Sequence, residues 1–274
     1  IIKIKHYNFE LALQTTYSRN FLSGDSLIKS TNARLRIGSK GDLTNQTKLQ
    51  KSISDTWYTS LIPGSNDLLM EKDRNDEFLL NLGISYIDSN HLLPKLCTLK
   101  NELIQEQPYI ILFPGASTYK RMWPANLFAE IADHILMKYK IKIFICGSRK
   151  EYELAKIIER NYKMNEIINL AGKTSLSEFI EVVRNSILLV GNETSAIHIA
   201  YAVNTKSICL LGGGQYGRFM PYSEKYNENA PIPIYDEKEC FKCNWECHLE
   251  HNIEDAYPCI SGLDKSNVVN KIDY

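Results

Sequence analysis

Residues 187–203 read ILLVGNETSAIHIAYAV, and the order of residue types in this stretch indicates how the surrounding part of the chain folds. A short apolar run leads into a polar loop, and small and apolar residues then follow in a helical pattern. This order predicts a strand, a loop and a helix, the repeating joint of an α/β domain with a parallel sheet. In such a sheet, ligands bind just beyond the carboxyl ends of the strands.

The polar loop of this stretch carries groups suited to an anion. Gly191 permits a tight exit from the strand. Glu193, Thr194 and Ser195 place a carboxylate and two hydroxyls at the start of the helix, where free N–H groups and the helix dipole favour phosphate. His198 lies three residues beyond Ser195, on the same side of the helix. A lone histidine on a helix is usually structural, but here the helix N-terminus should lower its pKa and leave a neutral donor to a phosphate or carbonyl.

A second polar loop of the same kind lies at residues 113–124, FPGASTYKRMWP, between an apolar run and a predicted helix. Ser117 and Thr118 offer hydroxyls to phosphate oxygens. Lys120 and Arg121 place two cations near a helix N-terminus, where they are unfavourable unless an anion is bound. Because the two loops lie in one predicted sheet, they predict a single nucleotide site. The alternative is an ordinary loop with two solvated cations.

Two glycine-containing segments follow other predicted strands. In residues 147–151 (GSRKE), Glu151 is placed to accept hydrogen bonds from ribose hydroxyls, and the alternative is a first-turn acid that favours the helix dipole. Residues 212–217 (GGGQYG) match the dinucleotide fingerprint, but the proline-containing stretch that follows has no helical period, which excludes an NAD site. These glycines should instead let the backbone approach a ligand or another lobe.

Apolar runs alternate with helical patterns over residues 109–274, for example a helix at about 125–139 and another at about 150–162. This alternation predicts βαβ units and a doubly wound parallel sheet. The spacing of Ser175 and Glu178 adds a capping box at the start of a third helix.

The region before residue 109 is organised differently. Residues 91–108 contain two prolines and are interpreted as an interdomain linker. Residues 1–90 are interpreted as part of a separate lobe, with strands in ELALQTTYS and ARLRIG and a helix at about 66–82.

The composition is that of a globular protein, with 44% hydrophobic and 23% charged residues. No apolar run reaches the ~18 residues that a transmembrane helix needs. The net charge is zero, yet residues 1–53 hold nine Lys and Arg against three acidic residues. This excess predicts an anionic partner, and the alternative is a solvated surface. Nucleic acid is not expected as a partner.

Four of the seven cysteines lie in residues 240–259, which we call the Cys-rich segment. Their order is Cys240-x2-Cys243-x3-Cys247-x11-Cys259. Such spacing resembles a structural zinc site, and two disulfides or four free thiols are the alternatives. The other three, Cys97, Cys146 and Cys209, lie in apolar surroundings and are expected to be buried thiols. A reducing compartment is the default expectation.

Together these segments resemble glycosyltransferase family 9, the lipopolysaccharide heptosyltransferase family. The resemblance rests on FPGAS with KRMWP, CGSRKE, KTSLSEF, GNETSAIH and the tail ending in YPCI, and it spans about residues 109–260. It implies a GT-B-type α/β fold of two Rossmann-like lobes facing across a cleft, with the first lobe partial here. A nucleotide-sugar would be held mainly by the C-terminal lobe.

The resemblance also implies roles for individual residues. The diphosphate would lie beside Gly115, Ala116, Ser117 and either Lys120 or Arg121, the two cations that would stabilise the leaving group. Glu151 would hold the ribose and Leu176 would lie by the base. The phosphate and sugar side would be lined by Asn192, Glu193, Thr194, Ser195 and His198. Where the family usually has Asp-Thr/Ser-Gly, this chain has Glu193, Thr194 and Ser195, which puts the identity of the sugar in question.

The implied activity is inverting transfer of a heptose-like sugar from a nucleoside-diphosphate sugar, ADP-sugar favoured, to a lipopolysaccharide core or related anionic glycolipid. No cofactor would be required for the chemistry. The protein would be cytoplasmic, with peripheral contact at the inner face of the bacterial inner membrane. The catalytic base, an Asp near the start of the family's first lobe, is expected upstream of Ile1, so this chain alone should be inactive. The alternatives are a non-catalytic nucleotide-sugar-binding protein and a UDP-sugar GT-B transferase or epimerase.

Overall fold

The computed structural model describes residue 4 and residues 7–67, 69–84, 108–160, 162, 166–223, 230–252 and 254–273. The chain divides into two compact units, Ile1–Leu92 and Leu93–Tyr274, which we call unit 1 and unit 2. The predicted linker at 91–108 lies outside the described residues except for Pro108, so its role and the predicted domain boundaries stay predictions.

Unit 1 contains a parallel sheet of three strands in the order β1-β2-β3. The strands are β1 (Leu11–Gln14), β2 (Leu35–Ser39) and β3 (Ser60–Ile62). The α-helices described in this unit are α1 (Ser26–Ser30), which a π-helical turn at Phe21–Asp25 precedes, α2 (Lys48–Asp55) and α3 (Glu71–Asn81). The two predicted strands are confirmed as β1 and β2. The predicted helix at 66–82 begins only at residue 71. The Arg74 guanidinium donates to the carbonyls of Ser65 and Asp67 and holds them in a loop before the helix.

A buried ionic network in unit 1 changes the interpretation of the basic segment 1–53. Arg19 is fully buried and donates to the carboxylates of Asp25 and Asp55, and Tyr58 donates to Asp25 at 2.6 Å. Lys51 also pairs with Asp55, at 3.0 Å. Two cations of the segment therefore neutralise acids within unit 1, so they add little positive potential for an outside anion.

Unit 2 is built on a six-stranded parallel sheet in the order β6-β5-β4-β7-β8-β9. The strands are β4 (Tyr109–Phe113), β5 (Lys142–Ile145), β6 (Ile167–Asn169), β7 (Leu188–Asn192), β8 (Ser207–Leu210) and β9 (Ile232–Ile234). The chain runs from β4 outward to β6 and then returns to add β7 on the other side of β4. This reversal is the topological switch point, where ligands bind in doubly wound sheets.

Helices cover both faces of this sheet, which confirms the predicted doubly wound architecture. The α-helices described in this unit are α4 (Ala125–Tyr139), α5 (Tyr152–Glu159), α6 (Leu176–Arg184), α7 (Ser195–Ala202), α8 (Pro258–Ser261) and α9 (Lys265–Ile272), and short 3-10 turns lie at Tyr119–Arg121 and Arg149–Glu151. Successive residues of β4 alternate between two cores. Ile110 and Leu112 belong to the core with α4, α5 and α9, whereas Tyr109 and Ile111 belong to the core with α6 and α7.

The local sequence signals explain most of these boundaries. Helix α4 has the predicted limits, and the predicted capping box of Ser175 and Glu178 starts α6. Helix α5 starts at Tyr152 instead of the predicted 150, because Ser148 and Glu151 form a capping box of their own around a 3-10 turn at Arg149–Glu151, and it ends at Glu159 instead of 162. The predicted burial of Cys146 and Cys209 is confirmed, and Cys97 lies outside the described residues.

Candidate functional site

A cavity of about 640 Å³ lies at the switch point, where the loops that follow β4 and β7 meet. We call residues 113–124 the β4 loop. The cavity brings together most of the predicted site residues: Gly115, Ala116, Ser117, Arg121, Glu151, Glu193, Thr194, Ser195 and His198. Four lining residues were missed by the sequence analysis: Phe113, Ser148, Gln215 and Phe219. The GGGQYG motif after β8 was the available signal for Gln215, since β8 lies beside β7.

Arg121 is the cation that faces this cavity. Its Nη2 donates to Oε2 of Glu193 at 3.3 Å and its Nη1 donates to Oγ of Ser117 at 3.4 Å. Its guanidinium carbon lies 4.2 Å from the ring centroid of Trp245. A guanidinium has five N–H donors in a planar fork, and these two single contacts leave capacity for the oxygens of an anion.

Lys120 turns the other way, although it is the neighbour of Arg121. Its Nζ lies 5.6 Å from the ring centroid of Tyr257, and its carbonyl accepts from the Tyr257 N–H at 2.8 Å. It does not line the cavity. Of the two cations that the sequence left open, Arg121 is therefore the one that lines the cavity.

Glu193 is the buried counter-charge to Arg121. Its side chain is only 6% exposed, and burial raises the pKa of its carboxyl while Arg121 partly offsets that rise. Behind it, burial and the Glu193 charge raise the pKa of the Cys209 thiol. The positive charge of Arg121 therefore offsets part of the cost of burying the Glu193 carboxylate. A ligand that binds Arg121 must also change the electrostatic surroundings of Glu193.

Asn192 does not line the cavity, contrary to its predicted place beside the donor. Its side chain is fully buried, its Nδ2 donates to the Pro114 carbonyl at 2.7 Å, and its Oδ1 accepts from the Trp123 N–H at 3.0 Å. One amide thus fastens both ends of the β4 loop to the end of β7. Asn192 is a positioning residue, and its polarity satisfies backbone groups that would otherwise be buried without partners.

Gly191 also differs from its predicted role as a tight exit. It lies within β7, and an added Cβ would be 2.8 Å from the Phe113 carbonyl oxygen in β4. The glycine is therefore required for the close approach of the two strands that form the switch point. A side chain at this position would push apart the strand ends from which both loops start.

Glu151 lines the cavity but already has a structural task. Its Oε2 accepts from the Ser148 N–H at 2.7 Å, and its Cγ would lie 2.6 Å from a Cβ added at Gly115. This geometry is compatible with both interpretations of Glu151, as an acid in the first turn of a helix and as an acceptor for ribose hydroxyls. The ribose contact stays a prediction. Leu176, predicted beside the base, is 67% exposed at the start of α6 and does not line the cavity.

His198 contributes its imidazole ring to the cavity wall. Its Nδ1 lies 2.9 Å from the Tyr222 hydroxyl, and burial lowers its pKa. The direction of the predicted shift is confirmed, but its cause is burial rather than the helix N-terminus.

We expect this histidine to make unit 2 less stable in mild acid. Because its folded-state pKa is depressed, its contribution is complete above the ordinary histidine pKa and is lost as the pH falls through the folded value. The midpoint of urea unfolding should therefore drop less between pH 7.5 and 5.5 in H198Q than in the wild type. H248Q, at an exposed position, is the control and should follow the wild type. Parallel pH curves for wild type and H198Q would contradict the assignment.

The Cys-rich segment packs behind the β4 loop through its aromatic residues. The Trp245 ring lies against Gly212 and Gly214, and the Phe241 ring lies against Gly213, so a Cβ at any of these glycines would collide with a ring. The three glycines thus accommodate aromatic side chains of the same unit, which corrects the expectation that they approach a ligand or another lobe.

The four cysteines of this segment are free thiols. Burial is the main cause that raises the pKa of Cys240 and Cys259, and the other thiols of the group raise it further. Within the described residues, which include all four, no group of three or more His, Cys, Asp or Glu is arranged to hold a metal ion. Cys259 is held in the core of unit 2 while the others lie nearer the surface. The structure therefore does not assemble the predicted zinc site.

No helix in the described part of the chain is long and apolar enough to cross a membrane.

A doubly wound parallel sheet with a cavity at its switch point defines a Rossmann-like α/β protein, and the arginine, hydroxyls and helix N-terminus around that cavity are groups suited to an anion. The family model described as Glycosyltransferase family 9 (heptosyltransferase) matches residues 26–248. The chain belongs to this family, as the motifs predicted.

Individual relatives agree with this assignment. Lipopolysaccharide heptosyltransferase 1 of Campylobacter coli is 32% identical over 123 residues, which are 44% of this chain and 36% of that protein. The chain spans about a third to a half of the length of the curated relatives it matches.

Solved structures show the same fold. The family 9 glycosyltransferase from Veillonella parvula superposes with a TM-score of 0.64 at 14% identity, covering 96% of this chain and 72% of that one. The E. coli ADP-heptose lps heptosyltransferase II gives a TM-score of 0.62 at 15% identity, with 99% and 77% covered. The predicted GT-B-type α/β fold is confirmed.

Proposed function

We propose that this protein is an inverting glycosyltransferase that moves a heptose-like sugar from a nucleoside-diphosphate sugar to a lipopolysaccharide core or related glycolipid. Family membership and the names of the relatives support a heptosyl donor, and the E. coli structure named for ADP-heptose favours an ADP-sugar. The observation that carries the proposal is Arg121 in the switch-point cavity, held beside hydroxyls and the start of α7.

In the proposed complex, the diphosphate lies against Arg121, Ser117 and the N-terminus of α7. Thr194 caps that helix by accepting from the Ala196 N–H at 3.3 Å, and the other N–H groups of the first turn are oriented toward the cavity end of the helix. As the diphosphate departs, negative charge grows on its bridging oxygen. Fixed donors and a cation at this place lower the energy of that transition state.

The proposed chemistry is a single displacement. A base removes the proton of an acceptor hydroxyl, and that oxygen forms a bond to the anomeric carbon from the face opposite the diphosphate. The bond from the anomeric carbon to the diphosphate oxygen breaks, and its electron pair leaves with the nucleoside diphosphate. The configuration at the anomeric carbon is inverted. None of the described residues is assigned as the base.

Glu193 is the residue that we expect to decide the donor. It is longer than the family's usual Asp and pairs with Arg121. Its carboxylate therefore fills space and adds negative charge next to the predicted sugar position. Ser195, where the family usually has glycine, adds a side chain at the same helix start. These two departures also support the second candidate, a protein that binds nucleotide-sugars without transferring the sugar.

The acceptor and the place of action follow from the same proposal. A lipopolysaccharide-type acceptor carries anionic groups and is anchored in a membrane, so the enzyme would act from the cytoplasm at the inner face of the inner membrane. Cations of segment 1–53 that are exposed in unit 1, such as Lys40 and Lys48, are suited to such an acceptor.

A comparison of nucleoside diphosphates tests the donor. ADP at a hundredfold excess over its Kd should raise the melting temperature of this chain by about 5–10 °C, with smaller shifts from GDP and UDP. The shift should persist in EDTA, because Arg121 supplies positive charge at the diphosphate. A larger shift with UDP would favour a UDP-sugar enzyme instead. Absence of any shift would contradict a nucleotide site, and sugar transfer by the protein would exclude the non-catalytic alternative.

A further inference from the structure

Both cations of the β4 loop lie over aromatic rings that come from the Cys-rich segment. Arg121 lies 4.2 Å from the Trp245 ring centroid and Lys120 lies 5.6 Å from that of Tyr257. The two rings are themselves stacked, with centroids 5.8 Å apart and planes inclined by 21°. The Tyr257 hydroxyl donates to the Trp245 carbonyl at 3.1 Å. One aromatic pair therefore spans the back of the loop that carries the predicted diphosphate contact.

Trp245 is held in this position at a cost. Its backbone is left-handed, with φ of +66°, and so is that of Asn244, with φ of +51°. Such angles are unfavourable for residues with a Cβ, above all for a bulky one. In addition, the indole Nε1 is buried and has no hydrogen-bond partner within the described residues. The position of the ring therefore serves the contact between its face and the Arg121 guanidinium, since its Nε1 makes no hydrogen bond to a described residue.

The surrounding chain supports this arrangement. The Asn244 N–H donates to the Gly214 carbonyl at 2.7 Å, and the Lys242 N–H donates to the Gly213 carbonyl at 2.8 Å. An added Cβ at Gly212 would lie 2.8 Å from Cη2 of Trp245. The glycine run after β8 therefore leaves the space in which the Trp245 ring packs. The ring in turn limits where the guanidinium of Arg121 can lie.

We propose that Trp245 is a positioning residue that holds Arg121 toward the cavity for the diphosphate, an inference that rests on the proposed function. Without the ring, the side-chain contacts left to Arg121 within the described part of the chain are those with Glu193 and Ser117, at 3.3 and 3.4 Å. The indole face attracts the guanidinium without using its N–H donors, so these stay directed at an anion. An ion pair alone would instead draw the guanidinium onto Glu193.

Calorimetric titration of this chain with ADP tests the proposal. W245L should weaken ADP binding by about tenfold, and W245F should lie between W245L and wild type because phenylalanine is a weaker cation–π partner. F241L is the matched control, since Phe241 lies on the same glycine run but faces Gly213 rather than Arg121. It should bind ADP nearly as well as wild type.

A double-mutant cycle separates positioning from a general structural effect. If Trp245 acts through Arg121, W245L should change ADP affinity little in a chain that already carries R121A. Equal losses in W245L and F241L, or a full tenfold loss from W245L in the R121A background, would overturn the inference while leaving the nucleotide site intact. Wild-type affinity in R121A would instead overturn the proposed site. If W245L does not fold, W245F and its combination with R121A decide by the same comparison.

Discussion

Replacing Arg121 with alanine should lower the affinity for ADP by about tenfold to a hundredfold, the range expected for a lost charge-assisted hydrogen bond. Two effects act in the same direction. The substitution removes the only cation among the described residues that line the cavity, and it leaves the buried Glu193 carboxylate without its partner. Isothermal titration calorimetry of wild type and R121A gives the ratio directly.

Lys120→Ala is the matched control for this prediction. It removes a cation one position away whose Nζ lies over Tyr257 rather than in the cavity. We expect K120A to bind ADP nearly as tightly as wild type, and the double variant K120A/R121A to resemble R121A. If K120A caused the larger loss, the assignment of Arg121 as the diphosphate contact would be wrong.

Asn192→Ala should reduce the free energy of unfolding of unit 2 by about 2–4 kcal/mol. The alanine leaves the Pro114 carbonyl and the Trp123 N–H buried without a partner, and it opens a small cavity between β7 and the β4 loop. Urea unfolding measures the loss, and hydrogen exchange of the β4 and β7 amides locates it. Asn185→Ala is the control, since that side chain is exposed and makes one 2.8 Å hydrogen bond to the Glu181 carbonyl.

The prediction for Asn192 fails if both variants lose the same stability. A ligand-contacting residue without a structural task would show little change in unfolding and a large change in ADP binding. The positioning role predicts the opposite: a large loss of unfolding free energy, and a smaller loss of ADP affinity that results from a less ordered β4 loop.

The regular elements of unit 2 could be predicted because their patterns are strong. The apolar period of α4 begins after Pro124 and stops at Tyr139, so both limits are visible in the sequence, and the structure ends the helix there with a left-handed Lys140. Strand β9 was missed because Pro233 interrupts it. A proline is tolerated there because β9 is at the edge of the sheet. Helix α2, KLQKSISD, was missed because it is short and holds only two large apolar residues, Leu49 and Ile53, although these lie one turn apart on the same face.

The site could be predicted as a pair of loops but not as a set of contacts. Parallel strands bring the ends of β4 and β7 together, so the β4 loop and the start of α7 were bound to meet. Which cation enters the cavity is decided by Trp245 and Tyr257, more than a hundred residues further along the chain. A polar residue at a strand end, such as Asn192, looks the same in sequence whether it serves a ligand or a neighbouring backbone.

The seating of aromatic rings on residues 212–214 has a consequence for protein engineering. Each of these glycines leaves room for a ring of the Cys-rich segment, and one of those rings contacts the β4 loop through Arg121. The β4 loop, the glycine run and the Cys-rich segment therefore have to be exchanged together. A chimera that receives only the β4 loop of a relative would keep Trp245, whose ring is positioned for the Arg121 of this chain. Transplants intended to change donor preference should therefore move the three segments together, even though they are far apart in the chain.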